Sequence, residues 1–97
     1  MTTINEISNI ITGMYDDHLE NGADLINLYY NDEKEELVVC VRCTDDAYPY
    51  WIESEPLTCT LREWSIILYE HFHYIVGGGL CDEGSGKKYP VTLEWDY

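Results

Sequence analysis

The chain has 97 residues, 45% of them hydrophobic, and its 19 Asp and Glu against 5 Lys and Arg give a formal charge of −14. This length predicts a single domain over residues 1–97, and the hydrophobic fraction excludes an intrinsically disordered chain. No stretch approaches the roughly 20 apolar residues that cross a bilayer, and the first residues lack the features of a signal peptide. We therefore expect a cytoplasmic protein that does not bind a membrane. Its four cysteines should then be free thiols.

The first predicted element is an amphipathic helix. Apolar residues recur at steps of three and four from Ile4 to Met14. Thr3 and Glu6 have the spacing of a capping box, in which each side chain accepts a hydrogen bond from a backbone amide at the start of the helix. Gly22 predicts its end.

Two segments rich in Val, Ile and Tyr, residues 25–30 and 36–43, predict a β-hairpin around the acidic turn 31–35. Alternation along LVVCVRC in the second strand leaves both of its faces mostly apolar. That pattern is typical of a central strand, or of one whose second face meets another chain. After a second acidic turn, Pro49 places the third strand at a sheet edge.

The strongest helical signal covers residues 60–76, where Thr60 and Glu63 form a second capping box and Gly77 predicts the end. The glycine-rich segment 77–88 predicts a flexible loop, and residues 91–97 alternate as a last strand. The apolar stripe of this helix consists of Leu61, Trp64, Leu68, Phe72 and Ile75.

The element order is thus α-β-β-β-α-β. It predicts an α+β fold with a mainly antiparallel sheet of about four strands and two helices on one face. LVVCVRC and VTLEWDY could each be an edge strand that pairs with a second copy, which would give a homodimer.

Cys40 and Cys43 have the spacing of zinc ligands. Residues three apart in a strand point to opposite faces, however, so we expect free thiols, no metal site and no cofactor. The further ligands of a zinc site would come from Cys59, Cys81, His71 and His73.

Catalytic motifs are weak as well. A Cys59 nucleophile with a histidine base is disfavoured, because the surrounding negative charge raises the pKa of a thiol. GSGKK lacks the spacing of a phosphate-binding loop, and Asp45-Asp46 and Asp82-Glu83 lack the pattern of a calcium loop. We expect no catalytic residues and no enzyme activity.

The acids occur in groups that also contain tyrosines. Carboxylates attract a basic partner and pair with its arginines, while tyrosines add rigid contact area. Since grouped acids imitate the phosphates of a nucleic acid, the expected partner is a basic nucleic-acid-binding protein rather than nucleic acid itself. The residues predicted to contact it are Asp16, Asp17, Glu20, Asp32, Glu33, Glu35, Glu36, Asp45, Asp46, Tyr29, Tyr30, Tyr48 and Tyr50.

In size, acidity, tyrosine content and lack of catalytic motifs, the chain resembles the small acidic proteins that phages use against CRISPR effectors and restriction enzymes. No motif, DEKEE and YPYWIESEP included, points to one family among them. The resemblance implies an inhibitor that binds an effector in the host cytoplasm and blocks DNA or RNA access. Two alternatives remain open: an immunity protein or antitoxin against a basic nuclease, and a small zinc-binding regulatory adaptor.

Overall fold

The computed structural model describes residues 3–75 and 79–96. It is an α+β fold with a mainly antiparallel sheet, as the sequence predicted. Gly77, the predicted end of the second helix, lies outside the described residues. The described elements are α1 (Ile4–His18), a 3-10 turn (Leu19–Asn21), β1 (Leu25–Asn31), β2 (Glu36–Cys43), β3 (Tyr50–Glu53), β4 (Leu57–Thr58), α2 (Leu61–Ile66), a π-helical turn (Ile67–His71), β5 (Phe72–Ile75), β6 (Gly79–Asp82), β7 (Lys88–Tyr89) and β8 (Val91–Asp96).

The first sheet has five strands in the order β3-β2-β1-β8, and β4 also pairs with β2. β1 and β2 form the predicted antiparallel hairpin, with Leu25 opposite Arg42 and Asn31 opposite Glu36. β8 pairs with β1 in parallel. The hairpin strand LVVCVRC is therefore paired on both sides and cannot be an edge, whereas β8 is the outermost strand.

Both helices cover one face of this sheet. Alternation along β1 and β2 sends every second side chain into a core that also contains Ile7 and Ile11 of α1. On the opposite face, no described helix packs. The fully buried large side chains are Trp64, Tyr30, Phe72, Ile7, Ile11, Ile26, Leu28, Leu37, Ile67, Leu80, Val39 and Val41.

The start of α1 shows one of the two bonds of the predicted capping box, and the predicted Gly22 follows its end. The Thr3 hydroxyl accepts a hydrogen bond from the Glu6 amide at 3.1 Å, which caps the first turn. Gly22 has φ 92°, the left-handed conformation that glycine adopts without steric cost. After Ala23 and Asp24 the chain enters β1.

The second helix begins as predicted but is shorter. Both bonds of the Thr60–Glu63 capping box form, at 2.9 and 3.2 Å. The helix ends in a π-helical turn at His71, and Phe72–Ile75 continue as β5 instead of helix. Aromatic and β-branched residues favour a strand here, and pairing with β6 outweighs the helical spacing. Leu61 and Ile75 are 45% and 41% exposed and do not belong to a buried stripe.

Part of the glycine-rich segment forms a second sheet, which the sequence did not predict. Its strands are β5, β6 and β7 in that order, all antiparallel. Gly79 is required, since its φ is 103° and a Cβ there would collide with the Tyr89 carbonyl. Leu80 and Tyr89 join the core, so this sheet packs on the helix side of the molecule.

Candidate functional site

Four of the predicted contact residues lie together where β1 turns into β2. In this turn the Lys34 amide donates to the Asn31 side chain at 2.8 Å, and the Glu35 amide donates to the Asp32 carbonyl at 3.3 Å. Glu35 has φ 52°, a conformation that glycine or asparagine adopts more easily than glutamate. Glutamate therefore occupies a position whose backbone conformation disfavours it. We call Asp32, Glu33, Glu35 and Glu36 the turn cluster.

A second group lies at the other end of the same strands. The last turn of α1 is held against the start of β3 by Tyr50, whose hydroxyl donates to the His18 carbonyl at 3.3 Å. The seven residues of β1 separate this end from the turn cluster by about 20 Å. The predicted acids thus do not form one patch. We call Asp17, Glu20, Asp45 and Asp46 the loop cluster.

Asp16 differs from its neighbours because it is already paired. The Lys87 ammonium lies 2.6 Å from its carboxylate and 5.0 Å from the centre of the Tyr89 ring. The hydrogen bond with Asp16 is the main cause of the raised pKa of Lys87. Asp16 is therefore an internal contact between α1 and the second sheet.

Most other acids have no such partner. Over residues 3–75 and 79–96, the only other contact between a basic group and a carboxylate brings the His73 imidazole within 3.6 Å of Glu83. No described cation lies within ion-pair distance of either cluster. A carboxylate that lacks a nearby cation keeps its full charge toward solvent, so each cluster is a local concentration of negative charge.

The predicted tyrosines divide between surface and core. Tyr48 is 80% exposed beside the loop cluster, Tyr29 is 37% exposed, and Tyr50 is half-buried. Tyr30 is fully buried: its ring stacks on Trp64 at 5.6 Å, and its hydroxyl donates to the Cys59 carbonyl at 2.8 Å. Neighbouring strand residues face opposite ways, so Tyr29 and Tyr30 could not both be on the surface. Tyr30 is a core residue and cannot contact a partner.

The uncovered face of the five-stranded sheet contains a groove of about 350 Å³, which we call the open-face groove. Trp51 is 63% exposed along one side of it. Apart from Tyr29, sequence analysis did not predict its lining residues as contacts, although the apolar character of both faces of β2 was a signal for a second contact surface. The groove is lined by Asn27, Tyr29, Val38, Cys40, Arg42, Trp51, Glu53 and Glu94.

Two polar groups form the floor of this groove. Asn27 is only 9% exposed, and its Oδ1 atom is buried without a hydrogen-bond partner among the described residues. Opposite it, burial raises the pKa of the Cys40 thiol, the Arg42 cation opposes this rise, and the carboxylates of Glu53 and Glu94 add to it. Charged side chains from three strands therefore all affect the Cys40 thiol.

The cysteines and histidines do not converge on a metal site. Cys40 lies in the groove, whereas Cys43, on the same strand, faces the core side near Gly22. Cys59 is fully buried, where desolvation and then the Glu63 carboxylate raise its thiol pKa to about 12. Within the described part of the chain, no three His, Cys, Asp or Glu side chains are grouped so as to hold a metal ion.

Comparison with known proteins gives no relative: no protein-family model, curated protein or solved structure matches the chain. Neither helix in the described residues has the length and apolarity needed to cross a bilayer.

Proposed function

We propose that this protein is an acidic inhibitor that acts in the cytoplasm by binding the basic nucleic-acid-binding surface of a CRISPR effector, restriction enzyme or nuclease. The observation that carries the proposal is the pair of acidic clusters at opposite ends of β1 and β2, neither of which forms an ion pair among the described residues, although Lys34 lies within the turn cluster's own turn. Bound there, the protein would block access of DNA or RNA.

The spacing of the clusters supports this role. They lie about 20 Å apart along the strands, a distance over which duplex DNA carries about 12 phosphate charges. A groove that binds a duplex presents cations along such a length. Two acidic clusters joined by a stiff hairpin can contact both ends of that row at once.

The free energy of such binding comes from two sources. The net charge of −14 attracts a cationic partner and accelerates association. Pairing with arginine and lysine then replaces the repulsion that the crowded carboxylates experience in the free protein. The left-handed Glu35 is consistent with retention of these acids at a cost in stability.

The proposal is tested by DNA displacement from a panel of purified effectors, restriction enzymes and toxin nucleases, observed by electrophoretic mobility. Reversal of two turn-cluster charges, Asp32→Lys with Glu33→Lys, is expected to weaken displacement by about 100-fold. The control, Glu70→Lys with Glu83→Lys, makes the same change in net charge outside both clusters and should weaken it by less than about tenfold.

Two results would contradict the proposal. One is equal loss in both double variants, which would make net charge alone responsible. The other is a complex that ignores ionic strength but is lost on Cys40→Ser, which would favour the zinc-binding adaptor. Displacement limited to a toxin nuclease would assign the protein to the immunity or antitoxin class.

A further inference from the structure

The open-face groove contains two pairs of an aromatic ring and a carboxylate. Trp51 and Glu53 are two residues apart on β3, so both side chains point out of the same face. Tyr29 on β1 lies directly beside Glu94 on β8. Across the sheet the two pairs are separated by two to three strand spacings, and along the strands by about three residues, so their centres lie about 16 Å apart. The groove is thus bordered on both sides by the same combination of groups.

Asn27 lies between the two pairs. Its position on β1 is flanked by Cys40 on β2 and Thr92 on β8. The side chain is nine-tenths buried, yet its Oδ1 atom accepts no hydrogen bond from any residue that the structure describes. A buried amide without a partner is unfavourable, so the site favours a ligand that supplies a hydrogen-bond donor.

The charge of the groove favours a cation. Glu53 and Glu94 are exposed and have no ion-pair partner in the described part of the chain. Arg42 contributes one positive charge beside Trp51, which leaves the groove with an excess of one negative charge. A carboxylate beside an aromatic face suits a planar cation that can stack on the ring and donate to the acid at the same time.

We propose that the open-face groove binds two arginine side chains of the basic partner, one at Trp51 and Glu53 and one at Tyr29 and Glu94, with the Asn27 carboxamide as an acceptor between them. This inference rests on the proposed function and names the chemistry that its interface recognises. Arginine fits better than lysine because its guanidinium is planar and has five donors. An extended segment with arginines four residues apart spans about 13 Å, and the long arginine side chains cover the remaining distance to the two pairs.

The test uses two capped peptides of equal charge, hexa-arginine and hexalysine, titrated into the ¹⁵N-labelled protein. Hexa-arginine should shift the side-chain signals of Trp51 and Asn27 and bind about tenfold more tightly than hexalysine. Glu53→Gln and Glu94→Gln should each weaken hexa-arginine binding by about tenfold. The matched charge variants of the turn cluster, Asp32→Asn and Glu33→Gln, should weaken it by less than about threefold.

Two further variants sharpen the result. Arg42→Gln removes a like charge and should tighten binding of hexa-arginine, whereas weaker binding would overturn the inference. Asn27→Leu leaves the charge unchanged and should weaken binding. Its fold, and that of the other variants, is checked by thermal unfolding.

The inference is overturned if both peptides bind equally and the turn variants reduce binding as much as the groove variants. The proposed function would survive that outcome, since the acidic clusters could still bind a basic surface. If the groove binds hexa-arginine selectively but no effector in the panel loses its DNA, the proposed function fails while the arginine site stands.

Discussion

On the helix-covered face of the five-stranded sheet, Leu28, Val39 and Val41 have no exposed surface, whereas on the open face Tyr29 and Trp51 are 37% and 63% exposed. The covered face contains apolar side chains that fill a core. The open face combines apolar groups with charges and a buried amide oxygen, that of Asn27, which has no described partner. The first arrangement is what stability requires, and the second is better explained by a contact with another molecule.

The largest expected difference between the faces is in stability. Leu28→Ala should lower the free energy of unfolding by about 3 kcal/mol, because it leaves a cavity in the core. Trp51→Ala on the open face should lower it by less than about 1 kcal/mol. Urea denaturation measures both. Similar losses from the two substitutions would mean that the open face is structural.

High pH should destabilise the covered side. Burial, then Cys59 and nearby acids, raises the pKa of Tyr30 from 10.0 to about 12, and burial raises that of Cys59 from 9.0 to about 12. From about pH 9 to 12 the unfolded chain therefore holds fewer protons than the folded one, and stability falls as pH rises. The urea midpoint should decrease above pH 9, and less steeply in Tyr30→Phe. A midpoint that is constant up to pH 11 would contradict this account.

The smallest expected effect concerns two asparagines on the open face of β1. Asn27→Leu removes an amide without a described partner and should leave the free energy of unfolding unchanged or raise it by up to about 1 kcal/mol. Asn31→Leu removes the acceptor of the Lys34 amide and should lower it by about 1 kcal/mol. Thermal and urea unfolding compare the two. A clear loss of stability in Asn27→Leu would show that its carboxamide serves the fold.

Local signals predicted the parts of the fold that depend on local interactions. The caps at Thr3 and Thr60, the β1–β2 hairpin and the edge position of β3 follow from neighbouring residues, and all are present. The parallel pairing of β8 with β1 joins segments far apart in sequence and leaves no periodic signal. The conversion of residues 72–75 to a strand likewise depends on pairing with β6.

The same distinction applies to the candidate site. The turn cluster was visible because its four acids are close in sequence. The groove was not, because Trp51, Asn27 and Glu94 come from three strands whose order only the folded sheet determines. Tyr30 was misplaced for a simpler reason: composition near an acidic turn does not tell which face of the strand a tyrosine occupies.

The central claim is that unneutralised acids of this protein bind a nucleic-acid-binding surface. The most direct measurement is the affinity for an effector identified by DNA displacement, determined by calorimetry without DNA at about 50 and 200 mM salt. We predict that the dissociation constant increases by about tenfold or more, because salt screens the attraction between the clusters and the cationic surface. The same dissociation constant at both salt concentrations would contradict the account.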